Sequence, residues 1–222
     1  MLESIATDAP DELWCLGDLV GYGPQPNPCC ALVAERADVC LIGNHDYGVL
    51  DRLDLAEFAP EAAWSALWTR EALAPEARAY LESLSPSGKR EGTGLYHASP
   101  RDPVWEYVLS PAVALASLEE TEEELVLVGH SHVALSFGLS ERSLDLAPEG
   151  TDVDLASQRW LLNPGSVGQP RDGDPRAAWL LLDLDARRAS FRRVSYPIER
   201  TQGEIREAGL PEALAVRLEH GL

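Results

Sequence analysis

The stretch "CLGDLVGYGP", Cys15 to Pro24, reads as a buried strand that halts at a carboxylate and runs straight into a glycine-rich loop. In an α/β pattern the carboxyl end of a strand is where ligands meet the sheet, so Asp18 stands either to hold a metal or polar substrate group, or simply to start a turn. Three further segments share this grammar: Ile42-Gly43-Asn44-His45-Asp46, Tyr96-His97 and Val128-Gly129-His130-Ser131-His132. Each is an apolar strand with polar groups where it ends, and together they contain four of the chain's five histidines. Converging on one rim of a parallel sheet, they would supply oxygen and imidazole donors to a metal site. His130 and His132 would diverge if they lay in a strand, so a shared metal requires a loop there. The fifth histidine, His220, falls in a terminal helix and is expected to be solvated.

Outward from these motifs, strands are predicted at 13–16, 39–42, 93–98 and 125–128. Between them, helices are predicted from an Asn27 cap with Pro28 in the first turn to about Ala37, then over 60–73 and 75–84. Trp64, Leu67, Trp68 and Leu81 recur at helical spacing and read as core or cap packing. Ser110-Pro111 repeats the cap-and-proline start. After His132 the pattern changes to strands at 134–138, 160–162, 178–184 and 190–195, with helix again at 198–207 and 211–219. Alternating strand and helix followed by a run of strands predicts a layered α/β fold whose later half adds mixed or antiparallel strands.

The totals bound the function. A chain of 222 residues suits a single domain, and a formal charge of −19 argues against a nucleic-acid or anionic-membrane surface. No apolar run is long enough to span a bilayer and no signal peptide is visible, so a cytoplasmic protein is expected. Cys15, Cys29, Cys30 and Cys40 lack zinc-cage spacing and read as buried thiols. Lys89 is the single lysine and follows no phosphate-binding glycine loop, while Gly21-Tyr22-Gly23 lacks the third glycine of a dinucleotide fingerprint.

The ordered series G-D-x-x-G (Gly17 to Gly21), G-N-H-D (Gly43 to Asp46), a lone His97 and G-H-S-H (Gly129 to His132) resembles the calcineurin-like metallophosphoesterases. The later "LLNPGSVGQPRDGDPRAAW", Leu161 to Trp179, is similar to the corresponding loop and strand of a small bacterial and archaeal branch. The resemblance implies an α-β-β-α sandwich of two mixed sheets and a centre of two divalent ions. In it Asp18 is the bridging carboxylate, Asn44, His97 and His130 complete one metal, and His132 joins the other. His45 faces the scissile phosphate and steadies or protonates the leaving oxygen, while a metal-activated hydroxide attacks phosphorus. Manganese, iron, zinc and nickel all suit these donors.

The implied substrate is a small phosphodiester, nucleotide or dinucleotide polyphosphate. Arg171, in "QPRDGDP", is either a phosphate contact or a solvated loop arginine; Trp105-Glu106-Tyr107 either lines a groove or packs in the core. Phosphoprotein phosphatases of the superfamily read G-D-x-x-D-R-G, where this chain has Gly21 and Tyr22, which makes that activity the weaker alternative. The family's opening D-x-H, which gives two ligands to the metal served by His132, has no counterpart. "MLESIATDAPDE" reads instead as the last turns of the helix that follows that motif. The expectation is a domain over 1–222 that lacks the family's first strand, a start about 20 to 25 residues late at typical element lengths. One metal then keeps four ligands and the other two, so this chain would hold one ion or two. The rival reading is a non-catalytic scaffold of the same fold. The sequence says nothing about oligomeric state.

Overall fold

The structure is a computed structural model that describes residues 1–222. In chain order the helices are α1 (Leu2–Asp8), α2 (Pro26–Arg36), α3 (Asn44–Val49), α4 (Pro60–Ala72), α5 (Pro75–Glu82), α6 (Pro111–Glu119), α7 (Ile198–Glu207) and α8 (Glu212–Val216). The strands are β1 (Trp14–Cys15), β2 (Val39–Cys40), β3 (Ser87–Arg90), β4 (Thr93–Tyr96), β5 (Leu125–Val128), β6 (Ala134–Gly138), β7 (Ser143–Leu146), β8 (Asp152–Asp154), β9 (Trp160–Pro164), β10 (Ala177–Asp183) and β11 (Arg188–Val194).

They form a mixed α/β fold. A six-stranded sheet has the order β3-β4-β5-β9-β6-β7, with β4, β5 and β9 parallel and the remaining pairings antiparallel. The short parallel pair β1-β2 joins this layer where Ile42 N–H donates to Ser85 O at 3.1 Å. A second sheet, β10-β11-β8, is antiparallel. Leu95, Leu127 and Leu162 of the first sheet meet Val153, Ala189 and Phe191 of the second in one core cluster. Fully burying side chains of this size stabilises the sandwich by roughly 1.5–3 kcal/mol each.

On the other face of the six-stranded sheet, Ala114 and Leu118 of α6 pack on Val126, Phe137 and Leu161. Ile42 is enclosed by Cys30, Val49, Ala66 and Leu81 from α2 through α5. The outer helical layer is not spread over the small sheet, whose Arg188, Ser190 and Arg192 line a polar, open hollow. Instead α7 and α8 gather Ile205, Leu214 and Ala215 against Tyr22 and Trp68. No helix is long and apolar enough to cross a membrane.

Several local expectations need correction. Helix α2 starts at Pro26 with Gln25 as its cap. Asn27 is not the cap; its amide nitrogen donates to Ala72 O (2.8 Å) and its oxygen accepts from Ala74 N–H (2.7 Å), so it clamps the α4–α5 joint. Trp64 and Leu67 are exposed, because α4 turns Ala62, Ser65, Ala66 and Thr69 inward; Trp68 packs on the C-terminal helices, and Leu81 is core. Cys29 is exposed, while Cys30 is buried and Cys15 and Cys40 are half-buried. The Ser110 cap is present, its hydroxyl accepting from Val113 N–H at 3.3 Å.

Candidate metal centre

Four chain segments end at one rim. β1 runs through Leu16 and Gly17 to Asp18, β2 through Leu41 and Ile42 to Gly43 and α3, β4 to His97, and β5 to the loop of His130 and His132. Asp18, His97 and His130 place one carboxylate oxygen and two ring nitrogens within 4.8 Å of one another. His97 Nε2 lies 3.2 Å from Asn44 Oδ1 and 3.6 Å from Asp18 Oδ2, and His132 Nε2 lies 3.9 Å from the same Asp18 oxygen. Asp18, Asn44, His97, His130 and His132 are thus brought together as the spacing of the motifs suggested.

The backbone is strained here. Asp18, His130 and His132 have φ of 55°, 59° and 60°, three of the eight non-glycine residues in the left-handed region. Such conformations cost about 1 kcal/mol or more apiece and persist where the surroundings enforce them. The two left-handed turns resolve the geometry of His-Ser-His: leaving strand conformation lets both imidazoles face Asp18. Asn163 of β9, fully buried, braces this loop by donating to Gly129 O (2.7 Å) and Ser131 Oγ (2.9 Å).

Each of these imidazoles has its far nitrogen bonded to a main-chain carbonyl. His97 Nδ1 donates to Leu16 O (2.8 Å), His130 Nε2 to Trp105 O (3.1 Å) and His132 Nδ1 to Gln169 O (2.8 Å). The tautomers are thereby set with a lone pair on the nitrogen facing Asp18, as in histidines that hold metals. Asp18 Oδ1 accepts the His45 N–H at 3.0 Å, but buried Oδ2 has no hydrogen-bond partner. Acceptors facing acceptors around an unpaired carboxylate oxygen are unfavourable until a cation sits among them. A divalent ion fits this donor set, and the mixture of oxygen and imidazole does not select one element.

Burial alone would raise the Asp18 carboxyl, and the imidazoles of His97, His132 and His45 more than reverse it, holding it below the ordinary carboxylate range. Burial pushes His45 down to about 4 and His130 to about 3, and lowers His132 as well. The His45 and His130 rings are therefore neutral at pH 7. The neighbouring Asp46 is not aimed at the His45 ring. It accepts Gly43 N–H (2.9 Å) and Val20 N–H (3.0 Å), while burial and the charge of Asp18 push its carboxyl up.

His45 is held by packing, with Tyr22 tilted against it at 4.0 Å between ring centroids and Phe58 edge-on at 5.2 Å; its Nδ1 is buried without a partner. Gly43 permits the close approach, since a Cβ there would fall 1.9 Å from Asp18 Oδ1 and 2.6 Å from His97 Cε1.

Arg171 stands one side chain further out. It donates to Tyr22 Oη (2.9 Å) and to Gln169 Oε1 through Nε (3.1 Å) and Nη2 (2.7 Å). Tyr107 stacks on His130 at 4.0 Å and is exposed, while Trp105 meets Phe58 edge-on. His220 is exposed, beside Glu219. The roles of Tyr22, Phe58, Asn163 and the three carbonyls had no sequence signal of their own, although Asn163 lies within the quoted "LLNPG".

The profile of the calcineurin-like phosphoesterase superfamily domain matches residues 1–187. The chain belongs to that superfamily. It is 35% identical over 223 aligned positions to an uncharacterized protein of Methanocaldococcus jannaschii, covering 98% of this chain and 90% of that one. The crystal structure of a metallophosphoesterase from Sphaerobacter thermophilus superposes with a TM-score of 0.90 at 42% identity, over 100% of this chain and 93% of that one. A hypothetical protein from Pyrococcus horikoshii, 21% identical, shares the fold at a TM-score of 0.77, over 100% of this chain and 90% of its own. Membership implies phosphoester hydrolysis with divalent metals, and the Asp18–His97–His130 cluster could hold such an ion.

Proposed function

We propose that this protein is a metal-dependent phosphoesterase acting on a small phosphodiester. Asp18, Asn44, His97 and His130 would hold one divalent ion, and Asp18 with His132 would give two ligands toward a second. The observation that carries the reading is the unpaired, buried Asp18 Oδ2 facing the Nε2 lone pairs of His97 and His132. A bound divalent ion supplies neutralisation of phosphoryl charge and acidification of a water molecule.

The chain's own groups do the rest. Neutral His45, fixed between Tyr22 and Phe58, offers a ring nitrogen to the leaving oxygen. Arg171 adds positive charge beside Tyr22. Gly21 in place of a second aspartate leaves His45 oriented by ring packing rather than by a carboxylate, which favours a phosphodiester over a phosphoprotein as substrate.

The test is hydrolysis of bis(p-nitrophenyl) phosphate with added manganese, together with the metal content of the purified protein. Turnover should stop on chelation, return with the ion, and be lost in Asp18→Asn. The scaffold alternative predicts no bound ion and no turnover, and that pair of results would sink the enzymatic reading.

A further inference from the structure

None of the four cysteines serves the chemistry of the centre, yet the fold pairs two of them. Cys15 of β1 and Cys40 of β2 stand directly opposite one another in the parallel register, and Leu41 N–H donates to Cys15 O at 2.9 Å. On either side of them Trp14, Leu16, Val39 and Leu41 pack between the two sheets. Side chains alternate along a strand, so both cysteines project from the opposite face, the one on which Ile42 meets α2 through α5. Both are free thiols and only half-buried, open to a small solute. The neighbouring Cys40 thiol, acting against burial, lowers the pKa of Cys15 from the ordinary thiol value, and the same contact, then burial, raise that of Cys40. Cys15 is therefore the sulfur that attacks first.

Paired strands lie about 4.8 Å apart, inside the roughly 4.4–6.8 Å between Cα atoms that a disulfide spans. Side chains projecting in parallel from two such strands keep their Cβ atoms at about the strand spacing, wider than the roughly 3.5–4.5 Å that the bond requires. Joining the sulfurs therefore draws β1 and β2 together, and a bond closed under strain is readily reduced. At their carboxyl ends the strands have no slack to give. A Cβ on Gly17 would fall 2.8 Å from Gly43 N and 2.9 Å from His97 Nδ1, and one on Gly43 would run into Asp18 Oδ1. Across this gap Asp18 Oδ1 accepts His45 N–H at 3.0 Å. Tension at Cys15 and Cys40 is passed along the backbone to Asp18 and Asn44, which follow them by a few residues.

We propose that Cys15 and Cys40 are an oxidisable pair, which peroxides convert to a reversible disulfide that loosens the hold of the centre on its ion. The Cys15 thiolate attacks one oxygen of hydrogen peroxide and the O–O bond breaks. Cys15 becomes a sulfenic acid, and the departing hydroxide takes up the thiol proton as water. Cys40 then gives its sulfur electron pair to the sulfenic sulfur, and its proton leaves with the hydroxyl as a second water. Two thiols are oxidised to one disulfide while one peroxide is reduced to two waters. The loosening rests on reading Asp18 and Asn44 as metal ligands; formation of the disulfide does not.

The test treats the metal-free protein with hydrogen peroxide and maps its peptides by mass spectrometry. A linked Cys15–Cys40 peptide, lighter than its two parts by a pair of hydrogens and separated again by dithiothreitol, is the expected product. Cys40→Ala should yield no linked peptide and leave a Cys15 sulfenic acid that dimedone traps. The dissociation constant for manganese, read by calorimetry, should rise about tenfold in the oxidised protein, as when the support of a metal site is disturbed, and return on reduction. Cys29→Ala, at the exposed cysteine, should change neither result. Absence of the linked peptide, or Cys15 joined to Cys30 instead, overturns the pair. An oxidised protein that binds manganese as tightly as the reduced one overturns the coupling to the centre. If the reduced protein binds no manganese either, the metal-dependent reading fails and the coupling with it, and the linked peptide alone decides the pair.

Discussion

The two sides of Asp18 are furnished differently. Toward His97 the carboxylate meets His97, Asn44 and His130, which ride on β4, the start of α3 and the end of β5, all joined to the large sheet layer. Toward His132 it meets a single imidazole, whose far nitrogen is held by Gln169 O in the 169–174 loop. That loop is anchored from the small sheet: Arg193 of β11 pairs with Asp172, and Asp172 also accepts Ala134 N–H at 3.0 Å. His130 and His132 share the β5–β6 loop of the large sheet, and the His132 ring alone has its far nitrogen held by a loop that is tied across the sandwich. The lesson is that the number of candidate donors and their support are separate properties, and here the number favours the His97 side.

Removing a ligand from the rich side should have the largest effect. His97→Ala is expected to release the bound ion and drop phosphodiester turnover to background, read by elemental analysis and the aryl-phosphodiester assay. A variant that keeps its ion would break the asymmetry. Next comes the borrowed support: Asp172→Asn leaves buried Arg193 with Asp174, 4.0 Å away, as its remaining counter-charge, which should cost roughly 1.5–3 kcal/mol of folding stability. Urea unfolding measures this, and a loss within about 0.5 kcal/mol, ordinary for a surface change, would show that the loop stands alone.

Changing the sparse side should matter less. His132→Ala should retain the ion on the His97 side while lowering turnover by about ten- to a hundredfold, the range expected when one group around a metal site is removed. Loss of the ion in this variant would invert the comparison.

The last expected effect is on pH dependence without metal, where the raised carboxyl of Asp46 offsets part of the histidine contribution. His45, about 4, and His130, about 3, have folded pKa values depressed below the ordinary value near 6.5, chiefly by burial. Between those values the unfolded chain binds protons that the folded chain does not, so stability is full above about pH 6.5 and declines as pH falls through 6.5 toward 4. Denaturation midpoints of the chelated protein across that window should fall with acidification, less so in His45→Gln. A flat profile would mean that these rings are hydrated.

Much of this was readable in advance because it rests on local chemistry. The strand-then-polar-group grammar located Asp18, Asn44, His97, His130 and His132, and β5 and β6 have the predicted limits at Leu125–Val128 and Ala134–Gly138. What escaped depends on partners distant in sequence. The short strands β3, β7 and β8 have weak apolar patterns, as in Ser87-Gly-Lys-Arg90, and exist through pairing with neighbours. Helix α3 contains Gly48 and was hidden inside a motif that reads as a turn. Trp64 and Leu67 misled because helical spacing tells which residues share a face, not that the face is buried. The Tyr22–His45 stacking and the Asp172–Arg193 pair join residues 23 and 21 positions apart, without a local pattern to announce them.

The carbonyls that orient the three imidazoles belong to Leu16, Trp105 and Gln169. A carbonyl is common to all twenty amino acids, so these positions can drift in side-chain identity while the proton on each ring stays where it is. The chemistry of the centre is then inherited through the path of the backbone, and a comparison of residue letters alone would pass over half of what maintains it.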